Sequence, residues 1–216
     1  MFDLDGVLVD SEIWWDQVRI EFAASVGRVW TAADREAVMG SNTRQWGERM
    51  RRLLQIELAE EEIQRSVIEG MLERYKRLGP PEIEGAAEAV RQLAARYPVA
   101  VASSAPRILI EAALDGLGVR SLFGTVVSSD EVEAGKPHPD VYLRAAQGLG
   151  TRPEACLVVE DSINGLESAR AAGMFAVLVP NASIPPPREA HATADLVLAR
   201  LADLSELLAV GARNRG

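Results

Sequence analysis

Four short segments gather the polar side chains that could do chemistry, and each one ends an apolar run or lies in the loop after it. The first is Asp3-Leu4-Asp5-Gly6-Val7-Leu8-Val9-Asp10. Acids at i and i+2 lie on the same side of an extended chain, where they repel unless one is protonated or a cation sits between them. An acidic turn closing a strand is the plain structural alternative. The second is Ala102-Ser103-Ser104, shortly before Pro106. Here Ser104 reads as a helix N-cap with proline in the first turn, and hydroxyls beside free N–H groups at a helix start also make an anion site. The third is Gly135-Lys136-Pro137-His138-Pro139-Asp140, and the fourth is Leu157-Val158-Val159-Glu160-Asp161-Ser162. A helix cap at Asp161 or Ser162 explains one of the two acids in the fourth segment, but not both.

Lys136 stands out on usage. Of the 23 basic residues, 21 are arginine and only Lys76 and Lys136 are lysine. A generic surface cation in this chain is therefore written Arg, which weakens the reading of Lys136 as a solvated loop residue. Lysine supplies a compact point charge where arginine supplies a broad planar fork, so a tight pocket for a phosphate oxygen or a carboxylate selects it. His138 reads as structural. If Asp3, Asp5, Glu160 and Asp161 converge, their charge of −4 falls to −3 with Lys136 and to −1 with a divalent cation. An all-oxygen donor set without a His or Cys cluster calls for a hard ion, Mg²⁺ before Ca²⁺, which wants a richer oxygen cage.

What must position these segments is an α/β framework. From about residue 81 onward, β-type runs (98–102, 125–128, 155–159, 175–179 and 195–198) alternate with helical periods (84–96, 106–117, 139–149 and 163–172). Met1 to Leu4 reads as the end of one more strand. Alternation of this kind signals a parallel sheet, whose ligands bind just outside the carboxyl ends of its strands. Residues 12–80 instead show helical patterning only, for instance Ile63, Val67, Met71 and Tyr75, and they hold all four tryptophans. The expected division is a core of 1–11 and 81–216 with a helical insertion at 12–80, hinged at Gly6–Glu12 and Leu78–Pro81. The insertion carries −1 of the formal charge of −9, leaving −8 to the sheet-forming part. Trp30 and Trp46 are expected in its core and Trp15 toward a substrate. Pro185-Pro186-Pro187 reads as a short rigid loop.

The whole chain of 216 residues is 48% hydrophobic with an isoelectric point near 4.9. That suits a folded protein with a real core, argues against nucleic acid as a partner and favours a small molecule. A single cysteine excludes an internal disulfide, and no apolar run reaches membrane-spanning length. A cytoplasmic location is expected, and the oligomeric state is left open.

Taken together, and in this order, the four segments resemble the four motifs of the haloacid dehalogenase superfamily. The nearest branch is the one that includes β-phosphoglucomutase and sugar-phosphate phosphatases. Gly165 and Ala171-Ala172-Gly173 extend the resemblance. It implies a Rossmann-like parallel-sheet core with a small α-helical cap domain inserted after the first strand. Residue by residue, Asp3 matches the nucleophile that forms an aspartyl-phosphate, and Asp5 the general acid that later activates water. Ser103, Ser104 and Lys136 match the phosphate-holding positions. Asp3, the backbone carbonyl of Asp5, Asp161 and, directly or through water, Glu160 match the Mg²⁺ shell. Only Met1 and Phe2 precede the nucleophile, so the numbering begins inside a longer strand or the strand is short.

The implied activity is Mg²⁺-dependent hydrolysis of small phosphorylated metabolites, sugar or polyol monophosphates. Displacing halide needs no proton, so Asp5 argues against a dehalogenase. A phosphosugar mutase is the runner-up. It is weakened because Trp15 stands where β-phosphoglucomutase has a histidine and Thr43 where it has an arginine that contacts the sugar phosphate. Arg44, one residue on, could compensate, and Asn42, Thr43 and Arg44 join Trp15 as candidate specificity residues. A partner-binding role without catalysis would expect a lost motif residue, and none is lost.

Overall fold

The computed structural model describes residues 1–213, in ten α-helices, three single-turn 3₁₀ helices and five short strands. The strands are β1 (Val99–Ser103), β2 (Phe123–Ser128), β3 (Leu157–Glu160), β4 (Phe175–Leu178) and β5 (Leu196–Val197). Every pairing is parallel: β1 with β2, β3 with β4, and β4 with β5. The two groups are joined by the first residues of the chain. Phe2 bridges Val101 on one side and Val159 on the other, with Phe2 N–H donating to Ala100 at 2.9 Å and Asp3 N–H to Val159 at 3.0 Å. The sheet order is therefore β2, β1, the N-terminal segment, β3, β4, β5. That places Asp3 in the middle of the sheet, as the reading of Met1–Leu4 as a strand end required.

Both faces of the sheet are covered, which is why its strands read as continuous apolar runs. The strand period of two divides them. Val99 and Val101 join one core cluster, whereas Ala100 and Ala102 join another containing Tyr142, Ala145 and Ala146. The covering helices are α5 (Ala86–Ala94), α6 (Arg107–Gly116), α7 (Asp140–Leu149), α8 (Ile163–Ala171), α9 (Arg188–Thr193) and α10 (Leu201–Arg213). Ser162 caps α8, its side chain accepting from Gly165 N–H. The expected cap at Ser104 is not made. Pro106 takes the N-cap position of α6 with extended backbone and no side-chain cap bond, and it disfavours at Ala105 the helical geometry that a cap at Ser104 would need. The Ser103 hydroxyl instead accepts from Ala105 N–H at 3.0 Å.

Between the N-terminal segment and α5 lie four helices and no strand: α1 (Glu12–Ser25), α2 (Ala32–Val38), α3 (Thr43–Leu54) and α4 (Glu60–Leu78). Capping boxes at Thr31 and Asn42 start α2 and α3 by satisfying N–H groups that helix ends leave free. Ile63, Val67, Met71 and Tyr75 form the buried stripe of α4, as their spacing predicted. Entry and exit of this helical segment run side by side: Asp10 N–H donates to Pro81 at 2.8 Å and Ile83 N–H to Leu8 at 3.1 Å. No helix among the described residues is long and apolar enough to cross a membrane.

Candidate active site

The parallel sheet brings Asp3, Ser103 and Glu160 to the same edge, since each follows or ends one of three adjacent strands. After Asp3 the chain closes a tight turn, Leu8 N–H donating to Leu4 at 2.8 Å and Gly6 N–H to Val9 at 2.8 Å. Leu4, Val7, Leu8 and Val9 are fully buried, and burial of such side chains is worth about 1.5–3 kcal/mol each, which anchors the turn. Gly6 has φ +84°, and a Cβ there would lie 1.9 Å from Oδ2 of Asp161. Glycine is thus required both by the backbone and by the close approach of Asp161 to the turn.

Lys136 is the hub. Its Nζ donates to Oδ1 of Asp3 at 2.6 Å, to Oε1 of Glu160 at 2.6 Å and to the Ala102 carbonyl at 3.0 Å. Burial opposes the charge, but Asp3 and Glu160 outweigh it and hold the ammonium's pKa above its ordinary value. Glu160 is pinned on both oxygens, by Lys136 and by the Tyr142 hydroxyl at 2.5 Å on one, and by the Ser162 hydroxyl at 3.0 Å on the other. A Cβ on Gly165 would lie 1.9 Å from the Glu160 carboxyl carbon. Gly165→Ala is therefore expected to force Glu160 off Lys136 and Tyr142 and to destabilise the fold by about 3 kcal/mol, read as a lower urea midpoint.

Asp3, Glu160 and Asp161 each offer an oxygen within 4.8 Å of the others. With Lys136 this group sums to −2. Burial, together with Glu160 and Asp5, pushes the Asp3 carboxyl up to about 8 against the pull of Lys136. Asp161 is likewise raised, by burial first and then by Glu160 and Asp3, and no described donor hydrogen-bonds to it. An all-carboxylate trio that one lysine leaves under-compensated fits a hard divalent cation. The donors already on Glu160 favour contact through water for that residue, and Asp161 is the carboxylate free to ligate directly.

The Asp5 side chain stands outside this trio. Its Oδ1 accepts from the Ser11 hydroxyl and from Nε1 of Trp15 at 3.2 Å. Burial raises its pKa, and the two hydrogen bonds only partly offset that. Asp3 and Asp5 both open into a cavity of about 270 Å³, at the small end for a metabolite site. Ser103, Ser104, Lys136 and Asp161 complete its floor on the sheet side. Glu12, Trp15 and Arg19 of α1, Val38 to Ser41, and Trp46 of α3 form the facing wall. Ile184 to Pro187 close one side.

Residues 1–173 match the family model of the haloacid dehalogenase-like hydrolases. The chain belongs to that family. Fructose-1-phosphate phosphatase YqaB of Escherichia coli K12 is 33% identical to this haloacid dehalogenase-like hydrolase over 82% of the chain and 93% of the relative. Hexitol phosphatase B of the same organism is 30% identical over 83% of the chain and 82% of the relative. The crystal structure of CbbY from Rhodobacter sphaeroides in complex with phosphate superposes with a TM-score of 0.82, at 27% identity and over 94% of both chains. Family and relatives place the chain among the phosphoric monoester hydrolases.

In this hydrolase the motif residues Asp3, Asp5, Ser103, Ser104, Lys136 and Asp161 meet at one cavity, with Glu160 directly behind Lys136. Of the four candidate specificity residues on the helical side, only Trp15 lines the cavity. Asn42 is spent on the α3 capping box. Thr43 is turned to Asp130, donating from its N–H at 3.0 Å and its hydroxyl at 2.5 Å. Arg44 is exposed, and none of the three lines the cavity. Trp46 is both buried, as expected, and part of the cavity wall. Sequence reasoning missed Glu12, Arg19 and the Ile184–Pro187 loop. That loop is held by Asn181 and Ser183, which both donate to Asp10.

Proposed function

We propose that the chain is a Mg²⁺-dependent phosphatase of small phosphorylated metabolites, sugar or polyol monophosphates, acting through an aspartyl-phosphate on Asp3. One observation carries the reading. Asp3 and Asp5 face the same cavity with different partners, the first on a buried ammonium and the second on an indole and a hydroxyl. Two carboxyls so divided suit a nucleophile and a proton donor. Asp3 attacks phosphorus while Asp5 gives its proton to the departing alkoxide; Asp5 then takes a proton from the water that hydrolyses the acyl phosphate. Lys136, Ser103 and Ser104 hold phosphoryl oxygens. Asp3, Asp161, the Asp5 carbonyl and Glu160 through water would hold Mg²⁺, which supplies charge neutralisation for the phosphoryl group.

Residues 12–80 serve in this scheme as a cap domain over a core of 1–11 and 81–216. Proton donation by Asp5 favours phosphoryl transfer over dehalogenation. The mutase alternative loses its compensating residue, since Arg44 stands outside the cavity. The named relatives, a fructose-1-phosphate phosphatase and a hexitol phosphatase, support sugar and polyol esters. Incubation with a panel of such monophosphates is expected to release inorganic phosphate. Chelation should lower that release by about 100-fold or more, with Mg²⁺ restoring it and Ca²⁺ failing to. Isomerised hexose phosphate without phosphate release would overturn the reading in favour of a mutase.

A further inference from the structure

We infer that Arg19 forms a second anion site in the cavity, so that the preferred substrates carry a carboxylate or a second phosphate on the far side from the scissile ester. This rests on the phosphatase reading for where the scissile phosphate lies. Arg19 is 6% exposed, lines the cavity, and its buried Nε has no hydrogen-bond partner. None of its guanidinium nitrogens makes an ion pair with a described residue, whereas the lining cation on the sheet side, Lys136, makes two. Its guanidinium carbon sits 5.1 Å from the ring centre of Trp15 and 5.8 Å from that of Trp46. Those rings hold the charge in place without hydrogen-bonding to it.

Glu12 is the carboxylate that acts most strongly on Arg19 and it lines the same cavity, but it makes no ion pair with the guanidinium among the described residues; the next two, Asp16 and Asp5, are committed elsewhere. Asp16 accepts from Trp30 at 3.0 Å and from Arg35 at 3.3 Å, and Asp5 from Ser11 and Trp15. Burial lowers the Arg19 pKa only to about 10, so the group is cationic at neutral pH. An unpaired buried cation costs stability, and a sugar hydroxyl would accept one hydrogen bond without compensating the charge. A two-oxygen anion accepts two from the planar fork and neutralises it.

The test compares 6-phosphogluconate and glucose 1,6-bisphosphate with sorbitol 6-phosphate, reading phosphate release. Wild-type protein is expected to prefer at least one anionic compound over sorbitol 6-phosphate by about 30-fold or more in kcat/KM, and which one separates carboxylate from phosphate. Arg19→Met should bring that ratio to about one, and Arg19→Lys, which keeps the charge and loses the fork, should fall between. Calorimetric binding of the same compounds to the Asp3→Asn protein in Mg²⁺ reads the site without turnover. Tighter binding of an anionic compound that Arg19→Met erases supports the Arg19 site even where no phosphate is released. Phosphate release with equal efficiency from all three compounds upholds the phosphatase and overturns the anion site, as does a preference that Arg19→Met leaves intact. Thermal melting of Arg19→Met at or above the wild-type temperature is the expected mark of relieving an unpaired buried charge.

Discussion

Asp3→Asn is expected to lower phosphate release by about 10⁴-fold or more, because an amide cannot form the acyl phosphate on which the proposed route depends. The substitution is nearly isosteric, and Lys136 keeps Glu160 as a partner at 2.6 Å, so melting should stay close to wild type. Loss of activity with retained folding separates a missing nucleophile from a broken sheet. Metal-dependent turnover of the Asn protein at a measurable rate would instead mean that water attacks phosphorus directly, with Asp3 only a ligand.

Replacing Lys136 should be almost as damaging, and to stability as well. Lys136→Met leaves the Asp3 and Glu160 carboxylates buried without their cation, and removing one partner of a buried ion pair costs about 3–5 kcal/mol. A urea midpoint unchanged from wild type would contradict that. Lys136→Arg keeps the charge but not the shape. The ammonium fans three hydrogens to Asp3, Glu160 and the Ala102 carbonyl at 2.6–3.0 Å, with its side chain only 4% exposed. A longer planar fork cannot reproduce that fan, and at least a tenfold rate loss, about 1.4 kcal/mol of barrier, is expected. Wild-type kinetics in the Arg protein would remove Lys136 from the phosphate-holding role.

The sheet-side residues were legible because a parallel sheet puts the carboxyl end of every strand on one edge. Finding where each apolar run stops therefore finds Asp3, Ser103 and Asp161 on the cavity floor, while Lys136, in the loop after β2, was marked by residue usage instead. The facing wall was not legible in the same way. Amphipathic periodicity marks Trp15, Val18 and Phe22 as the inner stripe of α1, but not which part of that stripe meets the sheet. Arg19 was hidden by the same arginine usage that exposed Lys136: as one arginine among 21 it carries no mark, and only its burial separates it from the rest. Thr43 was assigned to substrate, yet its partner Asp130 lies 87 positions away and no local pattern announces it. Ser104 misled because its segment has helix-start chemistry, while Pro106 moves the start of α6 to Arg107.

The grip on Asp5 joins the turn after the N-terminal segment to the helical segment. Its carboxylate is aimed by Ser11, at the threshold of α1, and by the indole of Trp15 within that helix. In the proposed scheme, a swing of the helical segment to admit substrate would take away the indole that aims the proton donor. Closure over substrate and arming of the acid would then be a single event. On that scheme an unprotected acyl phosphate on Asp3 would lack the indole-aligned base until the helices returned, and the contact between Asp5 and Trp15 would act as an interlock against wasteful discharge between turnovers.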